Sequence, residues 1–248
     1  VARDMPFYAN IDTSTGATQS SKSTLCWPQH IVVVSPEKAY IQYSTADNES
    51  HSGIRIVDLQ TNIIRTSDIP GTFGVFTKTG ATKARMIFSR GKVFAGRGNS
   101  VIVLDPATDA VIKTVTYENR QVKDLAKGYD GKIYAIFTGE FTGNSGMTGA
   151  ASFTKPAMIV ALDANGEVVS ETNLPEQIEL RTGTASPTVQ MCASFTQPHL
   201  YFIGKQDFSA YEAMRYNYET GKVNWDYITA DLDADHSGGD IIYGYMGV

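Results

Sequence analysis

The stretch NSVIVLDPATDAVIKTV, residues 99–115, decides the fold. Two runs of alternating β-branched and aliphatic residues flank the tetrapeptide Asp105-Pro106-Ala107-Thr108. Pro106 fixes φ for the second position of a type I turn, and the Asp105 side chain can accept hydrogen bonds from backbone N–H groups two or three residues later. The stretch therefore predicts a β-hairpin closed by an Asx turn.

This hairpin recurs along the chain at intervals of 46, 47, 58 and 54 residues, with Asx positions at Asp12, Asp58, Asp105, Asp163 and Asn217. A second hairpin type alternates with it, in which a turn is followed by a basic residue or histidine and then by an aromatic residue. Its members are Lys38 and Tyr40, Lys92 and Phe94, Lys132 and Tyr134, and His199 and Tyr201. Four short strands in each unit of about 40–50 residues are typical of β-propeller blades. The sequence therefore predicts an all-β propeller.

The repeat also carries a family resemblance. The stretch VIVLDPATDAVIKTV is similar to the YVTN-type, YncE-like propeller repeat. The run GTFGVFTKTGATKARMIFSRGKVFAGRGNSVIVLDPATDAV, with MCASFTQPHLYF and MRYNYETGKV, resembles the YncE-like surface lipoproteins of Bacteroides over almost the whole chain. Most of that group have no assigned function, and a more distant relative, the BtuG-type lipoprotein, captures cobalamin at the cell surface. The resemblance implies an exported propeller at the outer-membrane surface or in the periplasm, and any function taken from it is an analogy.

The turn pattern predicts one domain over residues 1–248, with five to six blades covered. The predicted blades are 6–22 (partial), 29–69, 83–117, 121–174, 189–229 and 240–248 (partial). Because the chain starts and ends within a blade, either both ends close a small ring together or the sequence is a piece of a larger ring. The resembled proteins are seven-bladed, so we expect the larger ring. An open ring would expose a sheet face that further blades or a partner chain must cover.

Composition excludes several classes of protein. The net charge is −5 and basic residues are dispersed, which disfavours nucleic-acid binding. No window of 18 apolar residues predicts a transmembrane segment, and the opening VARDMPFYAN lacks the pattern of a signal peptide. Two cysteines, Cys26 and Cys192, are too few for a disulfide framework. We expect buried free thiols, although the sequence leaves a bond between the two open.

Motif searches predict a protein without enzymatic activity and without a cofactor. No nucleophile elbow, H-E-x-x-H helix, P-loop or dinucleotide fingerprint occurs in the sequence, and the four histidines lack zinc-ligand spacing. NYETGKVNW is similar to an element of quinoprotein dehydrogenase propellers, but it occurs once, whereas those enzymes repeat it. A weak calcium candidate lies in DLDADHSGGD, with Asp231, Asp233, Asp235 and Asp240. His236 replaces the glycine that an EF-hand loop requires, so we expect a solvated acidic turn.

We predict that binding occurs on one face of the propeller. This face carries the loops that lead into the innermost strands and the loops that connect the second strand of a blade to the third. These loops bring aromatic and basic residues to one rim: Trp27, Phe73, Phe76, Lys83, Arg85, Arg120, Lys123, Phe141 and Gln190. Aromatic planes beside basic donors suit a large, partly anionic, ring-containing ligand. In the alternative interpretation, Phe73 and Phe76 pack between blades and the basic residues lie in water.

These observations predict a non-enzymatic surface protein that captures a small nutrient ligand, cobalamin-like or a glycan, for an outer-membrane transporter. Two alternatives stay open, a glycan-active hydrolase or lyase and a scaffold for protein–protein interaction. Hydrolysis of a glycosidic bond would require two carboxyl groups about 5–10 Å apart across a cleft. No local spacing in the sequence identifies such a pair.

Overall fold

The described part of the protein is all β. The structure is a computed structural model that describes residues 9–11, 14, 18–20, 26–45, 51–61, 63–72, 74–75, 85–141, 153–175, 190–206 and 210–226. Strands and turns account for the regular structure of these residues, and none of them lies in a helix. The first strands, β1 (Ala9–Ile11) and β2 (Thr18–Ser20), form an antiparallel hairpin.

Four antiparallel sheets follow, each built on four strands paired in chain order, and the first of them has a short fifth strand. The first blade contains β3 (Cys26–Ser35), β4 (Lys38–Thr45), β5 (His51–Asp58) and β6 (Ile63–Asp68), with β7 (Gly74–Val75) paired to the start of β5. The second blade contains β8 (Met86–Ser89), β9 (Lys92–Arg97), β10 (Ser100–Asp105) and β11 (Ala110–Thr116).

The third blade carries an insertion between its second and third strands. Its four strands are β12 (Val122–Lys127), β13 (Ile133–Phe137), β16 (Met158–Leu162) and β17 (Val168–Asn173). The insertion contains the short hairpin of β14 (Glu140–Phe141) and β15 (Phe153–Lys155). The fourth blade contains β18 (Gln190–Ala193), β19 (His199–Gln206), β20 (Ala210–Asn217) and β21 (Lys222–Asp226).

The first strands of consecutive blades lie beside one another. Strand β3 contacts β8, β8 contacts β12, and β12 contacts β18, so these four strands surround the centre of the fold. Every residue of the fourth strands β6, β11 and β17 is half-buried or exposed. Sheets arranged radially around their first strands are the architecture of a propeller. The prediction of an all-β propeller is confirmed.

Asx turns close the outer hairpins as the sequence predicts. The Asp58 carboxylate accepts hydrogen bonds from the N–H groups of Gln60 and Thr61, both at 2.9 Å. The same turn closes at Asp105, Asp163 and Asn217. The remaining predicted turn, at Asp12, lies outside the described residues.

Apolar side chains fill the spaces between consecutive blades. Tyr40 and Ile56 of the first blade pack with Leu104 of the second, and Phe94 of the second packs with Phe137 of the third. A similar cluster joins the third and fourth blades around Tyr134, Ile159, Met191 and Phe202. Burial of each large side chain contributes about 1.5–3 kcal/mol, so these clusters hold the blades together.

The Asx turn of a blade also docks onto the blade before it. Asp109, in the turn of the second blade, accepts from Lys38 Nζ at 2.9 Å and from the Tyr40 hydroxyl at 2.5 Å. In the turn of the fourth blade, Tyr218 stacks on Tyr134 of the third with ring centroids 4.5 Å apart. The docking contacts therefore run in one direction from blade to blade.

Candidate functional site

Polar residues occupy one level on the innermost strands of the four blades. We call this set the polar layer, and its members are His30 in β3, Arg85 just before β8, Asp124 in β12 and Gln190 in β18. The strand register shows that these positions are equivalent. In the second strand of each blade, the residue that pairs with His30, Asp124 or Gln190 lies two positions after the aromatic residue. Those pairs are His30 with Gln42, Asp124 with Ile136, and Gln190 with Ile203. Arg85 is level with them because the next residue, Met86, pairs with Ala95, one residue beyond Phe94.

The Asp124 carboxylate joins three blades within this layer. Its side chain is 3% exposed, and it forms a two-point ion pair with Arg85 of the second blade, with Nη2 at 2.7 Å and Nε at 3.2 Å. It also accepts from the backbone N–H groups of Arg85 at 3.2 Å and Leu125 at 2.8 Å, and from Met191 of the fourth blade at 2.7 Å. The innermost strand of a sheet has a free edge with unpaired N–H groups. Asp124 satisfies such groups on both neighbouring blades.

His30 makes the corresponding contact between the first and second blades. Its Nδ1 accepts from the N–H group of Met86 at 3.2 Å. The imidazole must therefore carry its proton on Nε2 and be neutral. Burial and the nearby Arg85 lower the pKa of His30, and the opposing effect of Asp124 is smaller. Both conditions keep the ring uncharged at neutral pH.

Cys192 lies near the same layer, two residues beyond Gln190 in β18. It is a half-buried free thiol. Burial raises the pKa of this thiol, while Arg85 lowers it and Asp124 raises it further. A thiol with a raised pKa is protonated at neutral pH and is a poor nucleophile. The side chain of Cys26, at the start of β3, lies outside what the structure describes.

Lys123 occupies a β-bulge directly before Asp124. The pairing of β12 with β13 passes from Val122 to Asp124, which leaves Lys123 as the extra residue. The side chain is partly exposed to solvent, and burial lowers the pKa of its amine to about 8. Among the described residues, no ion pair or hydrogen bond engages this amine. A bulge interrupts the same level of β3, between Pro28 and His30, so the feature recurs in two blades.

Arg120 is buried beneath the insertion of the third blade. Its guanidinium group donates to the carbonyl oxygens of Thr138 at 2.7 Å and Pro156 at 2.8 Å. Burial lowers the pKa of this group. These hydrogen bonds connect the loop before β12 to both ends of the insertion. Contact between Arg120 and a ligand stays a prediction.

The structure places the other predicted site residues only in part. Trp27 lies in β3 opposite Ser44, Phe141 in β14 opposite Phe153, and Gln190 in β18 opposite Ile203, each described by its backbone pairing. Phe73, Phe76 and Lys83 lie outside the described residues, as do the calcium candidates Asp231, Asp233, Asp235 and Asp240.

Sequence reasoning missed His30, Asp124 and Cys192. Asp124 stands in the strand VKDLAK with Val122 and Leu125, which pack between blades, and this position in an innermost strand is a signal of a buried role. His30 and Cys192 gave no signal, because their relation to Arg85 depends on contacts between distant strands. Within the described ranges, no group of three or more His, Cys, Asp or Glu side chains could hold a metal ion, and no helix could cross a membrane.

Fold and comparisons together define a β-propeller protein. Among solved structures, it is similar to the hydrazine synthase of Kuenenia stuttgartiensis, with 12% identity and a TM-score of 0.54 over 88% of this chain and 59% of that one. A streptogramin B lyase structure matches with the same identity and TM-score, over 90% of this chain and 62% of that one. The chain thus spans about three fifths of those chains, and such identities show the fold alone.

The sequence profile of the family described as "Domain of unknown function (DUF5074)" matches residues 14–246, and the chain belongs to this family. No curated protein matches its sequence.

Proposed function

We propose that the protein is a non-enzymatic binding protein that captures a small nutrient ligand at the outer-membrane surface. The ligand would then pass to an outer-membrane transporter. The resemblance to YncE-like surface lipoproteins and to the BtuG-type lipoprotein supports this location and role. The predicted binding face of the propeller is the proposed site of capture.

The polar layer supports this proposal most directly. It bridges the innermost strands, and two basic side chains at this level remain accessible to solvent. Asp124 contacts the blades on both sides of its own. The Arg85 side chain remains 40% exposed beside it, and Lys123 is partly exposed on the next position. Positively charged groups beside a layer of polar residues suit a small, partly anionic ligand.

The same geometry favours binding over catalysis. Both oxygens of Asp124 accept hydrogen bonds that join blades, so the carboxylate is not poised to take a proton from a substrate. The Nδ1 of His30 is used by Met86, and the Cys192 thiol is protonated. Asp124 and His30 hold neighbouring blades together, which is a structural task.

A ligand screen tests the proposal. Calorimetry with cobalamin, haem, siderophores and glycans should identify a ligand that binds the purified protein without being changed. Turnover of a glycan would favour the hydrolase or lyase alternative. Binding of none of these compounds would favour the scaffold.

A matched pair of variants locates the site. Lys123 and Lys127 lie on the same strand, but Lys127 is exposed at the far end of β12. Lys127→Met should leave ligand affinity unchanged, whereas Arg85→Met with Lys123→Met should weaken it at least tenfold. Equal affinity in both variants would place capture elsewhere on the protein.

A further inference from the structure

We propose that Lys123 is the anchor for an anionic oxygen of the captured ligand, belonging to a carboxylate or phosphate group. This inference rests on the proposed capture function and names the chemical class that the site takes. It follows from the position of Lys123 in the fold and from the charges around it.

The β-bulge separates Lys123 from the ladder of its own blade. Two residues of β12, Lys123 and Asp124, stand opposite one partner, Ile136. A bulge re-aims the side chain of the extra residue and is frequent near binding sites. Asp124 turns toward the second and fourth blades, where it is fully used, and Lys123 keeps partial access to solvent.

Among the described residues of the strands packed on β12, no carboxylate is left to neutralise Lys123. The strands that pack most closely on β12 are β8, β9, β13 and β18. These strands contain the titratable or cationic residues Lys92, Arg97, Tyr134 and Cys192, and Arg85 directly precedes β8. Asp124 is the acidic residue of this group of strands, and Arg85 holds it by two hydrogen bonds. Glu140, at the insertion, is paired with Lys155 at 2.7 Å.

A half-buried cation that has no partner among the described residues is unfavourable, and a ligand anion would supply the partner. Burial has already lowered the pKa of the amine to about 8. At pH 7 about nine tenths of the amine therefore carries a proton, and at pH 9 only about one tenth does. An anion bound to the ammonium form should raise the pKa of Lys123, so its affinity should fall about tenfold between these two pH values.

The experiment uses small probes whose charge is known. Calorimetry of the full chain with inorganic phosphate, benzoate and the uncharged analogue benzamide, at pH 7 and pH 9, measures binding at the site. We expect phosphate or benzoate to bind and benzamide to bind at least tenfold more weakly. Lys123→Met should abolish binding of the anions. Lys123→Arg should retain it, and its affinity for benzoate should no longer depend on pH, because benzoate and arginine both stay charged throughout this range.

A direct measurement follows the amine itself. Reductive methylation with ¹³C-formaldehyde labels the lysines, and the Lys123 resonance is assigned by its loss in Lys123→Met. Phosphate should raise the pKa of the Lys123 amine, measured from the pH dependence of this resonance, and leave the pKa of Lys127 unchanged. Thermal unfolding of each variant shows whether it is folded, and Lys127→Met is the control for loss of one charge.

The outcomes separate this inference from the function on which it rests. If neither phosphate nor benzoate moves the Lys123 resonance, or if Lys123→Met binds the anions as the wild type does, the inference is wrong. Capture of an uncharged nutrient with an affinity that Lys123→Met does not alter would overturn the inference and leave the capture function standing. Anion binding at Lys123 in a protein that captures no nutrient would support the inference and overturn the capture function.

Discussion

Replacing Asp124 by alanine should loosen the contacts between three blades at once. The substitution removes the acceptor of two hydrogen bonds from the Arg85 guanidinium group and of those from the N–H groups of Leu125 and Met191. The matched substitution Asp124→Asn keeps the shape of the side chain and one accepting oxygen but removes the charge. Comparison of the two separates the hydrogen bonds from the ion pair.

The magnitude follows from the burial of the two partners. Loss of one partner of a buried ion pair costs about 3–5 kcal/mol, and each buried donor left without an acceptor costs about 1–3 kcal/mol. Arg85 is 40% exposed and can be hydrated in the variant, which reduces the first cost. We therefore expect a total of about 3–5 kcal/mol for Asp124→Ala and about half of it for Asp124→Asn. For a protein of this size, each kcal/mol lowers Tm by about 2–4 °C, so Asp124→Ala should lower it by about 6–20 °C.

Thermal unfolding followed by circular dichroism, together with urea denaturation, measures both variants. Glu118→Ala is the control, because Glu118 is exposed in the turn that leads toward β12 and its replacement changes net charge by the same amount. The control should unfold within about 0.5 kcal/mol of the wild type, as surface substitutions usually do. If Asp124→Ala also falls within about 1 kcal/mol of the wild type, the interpretation of Asp124 as the residue that joins the blades is refuted.

Three further substitutions test other contacts of the fold. Gly53→Ala would place a Cβ atom 2.8 Å from a carboxylate oxygen of Asp68, and the resulting shift should cost about 1–3 kcal/mol in urea denaturation. Asp109→Asn keeps a residue that tolerates the positive φ of this position but loses the ion pair to the preceding blade, so its urea midpoint should fall by the equivalent of about 1–2 kcal/mol. Because the pKa of His30 is lower in the folded protein than in the unfolded chain, the unfolded chain binds the proton more tightly and stability should fall as pH drops below about 6.5. His30→Asn, which can still accept from Met86, should flatten this dependence in thermal unfolding measured across that range, and an unchanged slope would assign it to other groups.

The fold could be predicted from sequence because its signals are local. An Asx turn depends on a side chain and the N–H groups two or three residues later, as at Asp58 and Asp105. The alternation of two hairpin types adds the order of the strands, and together they specify four-stranded blades. These signals do not depend on which blades contact each other.

The candidate site could be predicted only in part, since its contacts join distant strands. The sequence predicts Arg85 and Lys123 on the binding face, because both stand in segments that lead into innermost strands. The bulge at Lys123 and the cross-blade contacts of Asp124 depend on register and on residues up to 67 positions away. No pattern within one blade encodes them. Residues Phe73, Phe76 and Lys83 lie outside the described residues, and their role stays a prediction.

Because the Asx turns dock in one direction, onto the preceding blade, the interfaces between blades affect how the protein unfolds and how its repeats could have multiplied. Asp109 of the second blade holds the first, and Tyr218 of the fourth holds the third, so each blade offers one surface to its predecessor and a different one to its successor. Such head-to-tail interfaces make stability a sum of nearest-neighbour terms, as in other repeat proteins. Duplication of a whole blade within the array would recreate the same junction on both sides, which allows a propeller to change its blade number by copying units. Hydrogen exchange should accordingly report blades that open as separate units, each protected in proportion to the neighbours that it keeps.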